Sequence, residues 1–258
     1  MDLGIAGRKA IVCASSRGLG RACAEALAAE GVHVVINGRD GERLDNALRE
    51  LKQAGATVMA VKGDITTEDG RTALLKACPE PDILINNNAG PSPANFVAID
   101  HAAWLAGLEA NMIAPLMLVR AVLPGMRKRR FGRIINITSA MVKTPRPPMG
   151  LSSGARAGLT AVMKGQSVEC ARDNVTINNL LPYIIDTDRQ RWLAQRRVET
   201  EGITFEQARA QQIAGVAAKR MGEAKEFGAI CAFLCGVLAG YISGQNIHVD
   251  GGSYPALI

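Results

Sequence analysis

"CASSRGLG", residues 13–20, follows the apolar run "KAIV" and precedes an alanine-rich helical pattern. Its two glycines permit a tight turn and a close approach of helix to strand. The backbone amides of such a loop, together with the helix N-terminus, face a pyrophosphate group when a dinucleotide binds. The stretch therefore predicts a nucleotide site at the first strand-to-helix turn, formed by Ser15, Ser16, Arg17, Gly18, Leu19 and Gly20.

Short apolar runs alternate with longer helical patterns along the rest of the chain. Strands are predicted at 9–15, 32–38, 57–64, 82–88, 132–139, 175–182 and 246–252. Helices are predicted at 18–30, 41–54, 67–78, 101–129, 152–172, 205–217 and 223–239. Continuous apolar runs are typical of strands buried on both faces. The pattern predicts an α/β fold with a Rossmann-type, doubly wound parallel sheet of about seven strands and helices on both faces.

No linker, repeat or low-complexity tract interrupts the alternation, so residues 1–258 are predicted to form a single domain. One segment, at about residues 186–222, is polar, highly charged and too long for a simple connection. Insertions of this kind often cover a site, and we expect this one to be a lid. The alternative is a solvated helical excursion. Trp192 and Phe205 are its apolar residues most suited to contact a ligand.

The 258-residue chain has a net charge of +6, and its densest basic run is "RKRR" at 127–130. This run ends a predicted helix, where cations are favoured, and no aromatic residues interleave it. We therefore expect no nucleic-acid partner. None of the six cysteines has zinc-site spacing, which predicts no metal site and a reducing cytoplasm. Neither a signal peptide nor a run of 18 apolar residues is found, so no membrane association is expected.

The end of the second predicted strand, "INGRD", indicates which dinucleotide binds. An acidic residue at this point would accept a hydrogen bond from the ribose 2′-hydroxyl of NAD. The chain instead has Arg39, and Arg17 in the glycine loop is a second candidate cation. Guanidinium groups suit a 2′-phosphate, so the cofactor is predicted to be NADP(H).

Over almost its full length the chain resembles the short-chain dehydrogenase/reductase family. The resemblance rests on ordered motifs: "ASSRGLG" for the glycine loop, "GDIT" (63–66), "NNAG" (87–90), "NITS" (136–139), "LLPYIIDTD" (180–188) and "YISGQNIHVDGG" (241–252). In length and C-terminal segment it is most similar to bacterial 3-oxoacyl-ACP reductases. Cys13 and Ala14 depart from the Thr-Gly that leads the family's loop, and Tyr183 replaces a glycine.

The resemblance implies roles for individual residues. Ser139 takes the catalytic-serine position, and Asn111 matches the family's active-site asparagine. Cofactor contacts are implied for Arg39, Asp64, Ile65, Asn88, Ala89, Gly90, Arg156, Pro182, Ile185 and Thr187. The family also implies a homotetramer, and broad apolar faces on the helices at 101–129 and 152–172 favour self-association.

Two family residues are replaced although the frame is intact. The family's Tyr-x-x-x-Lys begins some dozen residues after the serine, which places Ser152 and Arg156 at its tyrosine and lysine. Serine is a much weaker acid than a phenol, and arginine does not release its proton near pH 7. Tyr183, at the end of a central strand, is the phenol that we expect to replace the missing proton donor.

Three functions follow from these residues. The first is an NADP(H)-dependent oxidoreductase that transfers hydride to a carbonyl or acyl-thioester substrate, resembling a 3-oxoacyl-thioester reductase, with altered acid–base residues. The second is a catalytically inactive NADP-binding sensor or scaffold. The third is non-redox chemistry like that of halohydrin dehalogenases, which we rank last because those proteins lose the glycine loop that this chain keeps. The resemblance to 3-oxoacyl-ACP reductases makes an acyl carrier protein an alternative partner.

Overall fold

The computed structural model describes residues 1–257, and its centre is one sheet of seven parallel strands. The strands lie in the order β3-β2-β1-β4-β5-β6-β7. The order reverses between β1 and β4, and this is the point where open α/β sheets bind ligands beyond the strand ends. The strands are β1 (Lys9–Val12), β2 (His33–Gly38), β3 (Val58–Lys62), β4 (Ile83–Asn86), β5 (Gly132–Ile137), β6 (Val175–Pro182) and β7 (Asn246–Val249).

Helices cover both faces of the sheet, as predicted. One apolar core includes Leu27, Leu44 and Phe227, and the core on the opposite face includes Leu118 and Leu159. Both cores are built on strand residues that are almost fully buried, which explains the continuous apolar runs. The helices are α1 (Gly18–Ala29), α2 (Gly41–Gln53), α3 (Glu68–Ala77), α4 (His101–Leu108), α5 (Ala114–Arg129), α6 (Gly150–Cys170), α7 (Asp188–Glu201), α8 (Phe205–Ala214) and α9 (Ala224–Cys235).

The sequence-based boundaries differ from the structure in three respects. The insertion, residues 186–222, contains α7 as well as the predicted α8, because the polar α7 lacks the apolar period that marks a packed helix. The predicted helix at 101–129 is divided by a π-helical turn at Glu109–Ile113. Several strands also end earlier than predicted; β1, for example, ends at Val12 and leaves the residues after it to the glycine loop.

The helical stretch His101–Arg129 has a mean hydropathy of 1.5 over its most apolar window and is long enough to cross a membrane. Core helices of soluble proteins meet the same criterion of length and composition. Here Leu118, Val122 and Met126 pack on the sheet, while Leu105 and Ile113 are exposed. The exposed part of this apolar face was the reason to expect self-association.

Four asparagine side chains cross the sheet in one line. Asn86 on β4 donates to Asn136 on β5 at 2.9 Å, and Asn136 donates to Asn179 on β6 at 2.9 Å. Asn179 in turn donates to Asn246 on β7 at 2.8 Å. The four residues are directly paired in the sheet, and the first three are buried. We call this line the asparagine ladder.

Ala14 has a left-handed backbone, with a φ of 44°. This conformation costs a residue with a Cβ roughly 1–2 kcal/mol, and glycine avoids that cost. Ala14→Gly is therefore expected to raise the free energy of unfolding by about 0.5–1 kcal/mol after the entropy of the more flexible unfolded chain is subtracted. Chemical denaturation measures it. Ala73→Gly, at an exposed site inside α3, is the control and should lower stability by a similar amount.

Candidate active site

A cleft of about 1220 Å³ opens at the carboxyl ends of the strands. Its floor is formed by the glycine loop and by the segments that follow β4, β5 and β6. The insertion contributes the opposite wall through α7 and α8. Most of the predicted site residues line it: Ser16, Arg17, Gly18, Leu19, Arg39, Asp64, Ile65, Asn88, Ala89, Gly90, Ser139, Ser152, Arg156, Pro182, Tyr183, Ile185 and Thr187.

Ser15 and Gly20 were predicted to contact the cofactor, but neither residue lines the cleft. The buried Ser15 hydroxyl donates to the Val12 carbonyl at 2.7 Å and accepts from the Asn37 amide at 2.9 Å. A Cβ at Gly20 would lie 2.5 Å from the carbonyl oxygen of Ala14. Both residues therefore hold the loop against the strands and shape the site from below.

The N-terminus of α1 has the features of a phosphate site. Arg17 is extended at the N-cap, and no side chain there accepts a hydrogen bond from the first amides of the helix. Gly18 has a φ of +60°, which favours glycine, and this turn directs the loop across the helix end. The unpaired amides and the positive end of the helix dipole fit a pyrophosphate.

The two candidate arginines bind different carboxylates. Arg39 lies 3.3 Å from Asp64 at the end of the cleft nearest β2, and its side chain is 67% exposed. Partial burial raises the pKa of Asp64, but hydrogen bonds from Thr66 and the charge of Arg39 outweigh it, so the pKa is lowered overall. Arg17 instead lies 3.4 Å from Asp188 on α7 and so links the glycine loop to the insertion.

Asn111 is buried in the π-helical turn and is not among the residues that line the cleft. Its side-chain amide donates to the Gly107 carbonyl at 3.4 Å, and its Oδ1 has no partner among residues 1–257. Asn88, which does line the cleft, donates to the Ala110 carbonyl at 3.1 Å. The π-helical turn and the segment after β4 are thereby joined beneath the site.

Ser139 stands at the end of β5, and its Oγ accepts a hydrogen bond from the Met141 amide at 3.1 Å. That bond leaves the hydroxyl proton of Ser139 free to be donated into the cleft. Ser152 and Arg156 lie one turn apart on α6, and the Arg156 Nε donates to the Ser152 Oγ at 3.3 Å. The structure thus brings together the three residues that take the family's Ser, Tyr and Lys positions.

Arg156 is buried, 7% exposed, and its guanidinium contacts backbone carbonyls in place of a carboxylate. It donates to Ile137 at 2.6 Å and to Asn88 at 3.5 Å. Burial, assisted by the charge of Arg189, lowers its pKa to about 10. The group therefore stays protonated near pH 7, so it supplies positive charge but relays no proton.

The Tyr183 phenol follows β6 and lies between the cleft and a smaller adjoining pocket. Its oxygen accepts a hydrogen bond from the Arg146 guanidinium at 2.7 Å. Because Arg146 only donates, the phenolic proton remains available to another acceptor. The adjoining pocket is lined by residues that include His248 and Asp250, so two directions are open to that proton.

Of the two insertion residues predicted to contact a ligand, Trp192 lines the cleft and Phe205 does not. Met141, Met149 and Ile184 also line the cleft, whereas Lys143 lies outside it, over the ring of Tyr254. The sequence analysis missed Arg189 and Arg196 on α7. Their spacing of seven residues, with Trp192 between them, is the signal that could have found them once α7 is known to be a helix.

The match to known proteins decides the family. A model described as enoyl-(acyl carrier protein) reductase matches residues 13–254. The chain belongs to the short-chain dehydrogenase/reductase family. Within this family it is 31% identical to the NADPH-dependent reductase BacG of Bacillus subtilis over 256 residues, which are 97% of this chain and 99% of that protein.

Two further members of the short-chain dehydrogenase/reductase family extend the comparison. The 3-oxoacyl-[acyl-carrier-protein] reductase FabG of Haemophilus influenzae is 33% identical over 253 residues, or 96% of this chain and 98% of that one. The structure of L-sorbose reductase from Gluconobacter frateurii, complexed with NADPH and L-sorbose, superposes with a TM-score of 0.94 at 30% identity, covering 100% of both chains. NADPH is thus the cofactor of two of these three relatives.

No group of three or more His, Cys, Asp or Glu residues that could hold a metal ion occurs among residues 1–257. All six cysteines are buried free thiols.

Proposed function

We propose that the protein is an NADP(H)-dependent oxidoreductase that acts on a carbonyl or alcohol group. The observation that carries the proposal is the shared cleft: the phosphate-binding turn of α1 opens into the same space as Ser139, Arg156 and Tyr183. Arg39 supports the choice of NADP(H) over NAD(H), because its exposed guanidinium can bind a 2′-phosphate. Bound NADPH supplies the hydride.

The side chains of the chain itself provide orientation and a proton. Ser139 can donate to the carbonyl oxygen of the substrate, since its own oxygen already accepts from Met141. The buried charge of Arg156 stabilises negative charge that develops on that oxygen. Tyr183 donates the proton, and Arg146 holds the phenol from the other side. The insertion excludes water from the cleft as a lid.

The second candidate, an inactive NADP-binding protein, rests on one observation. Ser152 and Arg156 replace the family's proton-donating pair, and the Arg156 guanidinium is already bound to the Ser152 hydroxyl and to the Ile137 carbonyl. The third candidate, non-redox chemistry, has less support because the glycine loop retains its phosphate-binding geometry.

We also propose an oligomeric state and a cellular compartment for the protein. Val162 and Val168 on α6 and Leu105 on α4 leave apolar surface that a homotetramer would cover. Light scattering tests this, and a mass near that of one 27.3 kDa chain at micromolar protein concentration contradicts it. A cytoplasmic, single-domain protein agrees with six reduced thiols.

The activity test is NADPH oxidation followed at saturating substrate. The panel contains activated ketones, diketones and acyl thioesters, with a carrier-bound thioester to test acyl carrier protein as a partner. Oxidation with any member supports the reductase. Tight NADPH binding with no oxidation across the panel supports the inactive binding protein instead.

Arg39→Asp is expected to weaken NADPH binding by about ten- to hundredfold, because it removes a charge-assisted hydrogen bond to the 2′-phosphate. NADH affinity should stay the same or rise. Titration calorimetry with both cofactors measures the two constants. Arg49→Asp makes the same charge change at an exposed site on α2 outside the cleft and should leave both constants unchanged. Unchanged NADPH affinity in Arg39→Asp would overturn the assignment.

A further inference from the structure

Arginines outnumber carboxylates among the residues that line the cleft. Eight arginines line it, and so do four carboxylates: Asp40, Asp64, Asp188 and Glu201. Each carboxylate is already in an ion pair with one of the arginines, namely Arg43, Arg39, Arg17 and Arg197 respectively. Among residues 1–257, the remaining four arginines of the cleft have no carboxylate within ion-pair distance: Arg146, Arg156, Arg189 and Arg196.

Three of these unpaired arginines act on each other. The Arg196 charge lowers the pKa of Arg189, after burial as the main cause, and the Arg189 charge in turn adds to the lowering at Arg156. Like charges that are held together in a partly buried site disfavour one another until an anion compensates them. Arg156, Arg189 and Arg196 therefore form a row of positive charges that stabilises a bound anion.

The α7 members of the row are held in position by neutral partners. Arg189 donates to the Pro91 carbonyl at 2.7 Å, which fixes the start of α7 to the segment after β4. Both guanidiniums lie over the Trp192 ring, with the Cζ atom of Arg189 4.7 Å and that of Arg196 5.1 Å from the ring centroid. Such cation–π contacts orient both groups and neutralise neither charge. Their remaining N–H donors are therefore available to a ligand in the cleft.

The end of the cleft that is formed by the glycine loop is the end where the cofactor is expected to bind. The phosphate-binding turn of α1 meets α7 at its first residue, where Arg17 pairs with Asp188. Arg196 comes two helical turns further along, which is roughly 12 Å at the rise of an α-helix. The same cleft is also lined by Ser139 and by the apolar residues Met141, Met149 and Ile184. A substrate that reaches from Ser139 to Arg196 would therefore carry an anionic group and contact apolar side chains.

We infer that the Arg189–Trp192–Arg196 cluster binds an anionic group of the substrate, so that the substrate class is a carbonyl compound carrying a carboxylate or a phosphate. Planar guanidiniums match the paired oxygens of either group. The inference rests on the proposed reductase function for the identity of the reacting carbonyl. The anion site itself does not need turnover, and it can be tested by binding.

The first test measures binding of succinate and of inorganic phosphate to NADPH-saturated protein by calorimetry. Wild type should bind at least one of them, and Arg196→Gln and Arg189→Gln should weaken it by about tenfold or more. Arg191→Gln removes the same charge from α7 at a residue outside the cleft and is the matched control. No binding to the saturated protein, or equal weakening in all three variants, overturns the inference.

The second test uses turnover. A panel of α-, β- and γ-oxo acids is compared with the matching methyl esters, and a coenzyme A thioester with a short thioester that lacks phosphate. The anionic member of a pair should have the higher kcat/KM, and Arg196→Gln should remove most of that advantage while the neutral member is unaffected. The oxo-acid pairs identify a carboxylate, and the thioester pair identifies a phosphate.

Two outcomes separate this inference from the proposed function. Anion binding without any NADPH oxidation supports the anion site and contradicts the reductase. Oxidation of neutral carbonyls that is equal to that of their anionic partners supports the reductase and contradicts the anion site. If Arg189→Gln and Arg196→Gln instead weaken NADPH binding tenfold, the cluster serves the cofactor and the inference is wrong.

Discussion

Replacing Tyr183 by phenylalanine lowers the turnover of a reducible carbonyl substrate by about two to four orders of magnitude, the usual scale for loss of a general acid. The phenol of Tyr183 is held by Arg146 at 2.7 Å and keeps its own proton to donate. Phenylalanine preserves the ring and removes only the hydroxyl. Stopped-flow measurement of NADPH oxidation isolates the chemical step, and titration shows that NADPH affinity is unchanged.

The control for this variant is Tyr241→Phe, which removes a hydroxyl from a fully exposed side chain outside the cleft. Its turnover should equal that of the wild type. The role of Tyr183 is rejected if Tyr183→Phe also keeps wild-type turnover.

The double variant Ser152→Tyr with Arg156→Lys is expected to gain simple ketone reduction by roughly a hundredfold or more over the wild type. Both positions line the cleft on consecutive turns of α6, so the restored phenol can reach the space beside Ser139. A lysine at 156 can also transfer protons, which Arg156 cannot. The initial rate of NADPH oxidation with activated ketones measures the gain.

Combining the two changes identifies which phenol acts. If Tyr183 is the donor in the wild type, Tyr183→Phe should have little further effect once Ser152→Tyr and Arg156→Lys are present. A full loss in that background would mean that Tyr183 positions the substrate in both proteins. No gain in the double variant, despite normal NADPH binding, would show that more than the acid–base pair separates this chain from its reductase relatives.

The sheet could be predicted because each strand is a continuous apolar run and each connection carries a helical period. Helix α7 was missed because apolar periodicity reports packing against the core, and α7 has little such packing. The π-helical turn was also hidden, since it depends on one extra residue per turn around Asn111. Neither feature leaves a trace in composition.

The candidate site was predictable where a backbone requirement fixes the residue, as at Gly18. It was less predictable where a side chain has a choice of partners. Ser15 suits a phosphate contact in sequence, but its hydroxyl is used between β1 and β2. Arg17 has the charge for a 2′-phosphate, yet it pairs with Asp188 of the insertion. Such choices depend on the tertiary structure and are not encoded by local spacing.

The asparagine ladder has a consequence for how the strands find one another. Strands that are apolar at every position lose little burial when they slide past each other, so hydrophobicity alone aligns them poorly. Each of β4 to β7 contributes one amide to the ladder, and in the native alignment these amides lie opposite one another and pair. A shifted strand would bury unpaired amides at a cost of about 1–3 kcal/mol each. The ladder therefore makes misaligned sheets less stable than the native one, which favours the native strand alignment during folding.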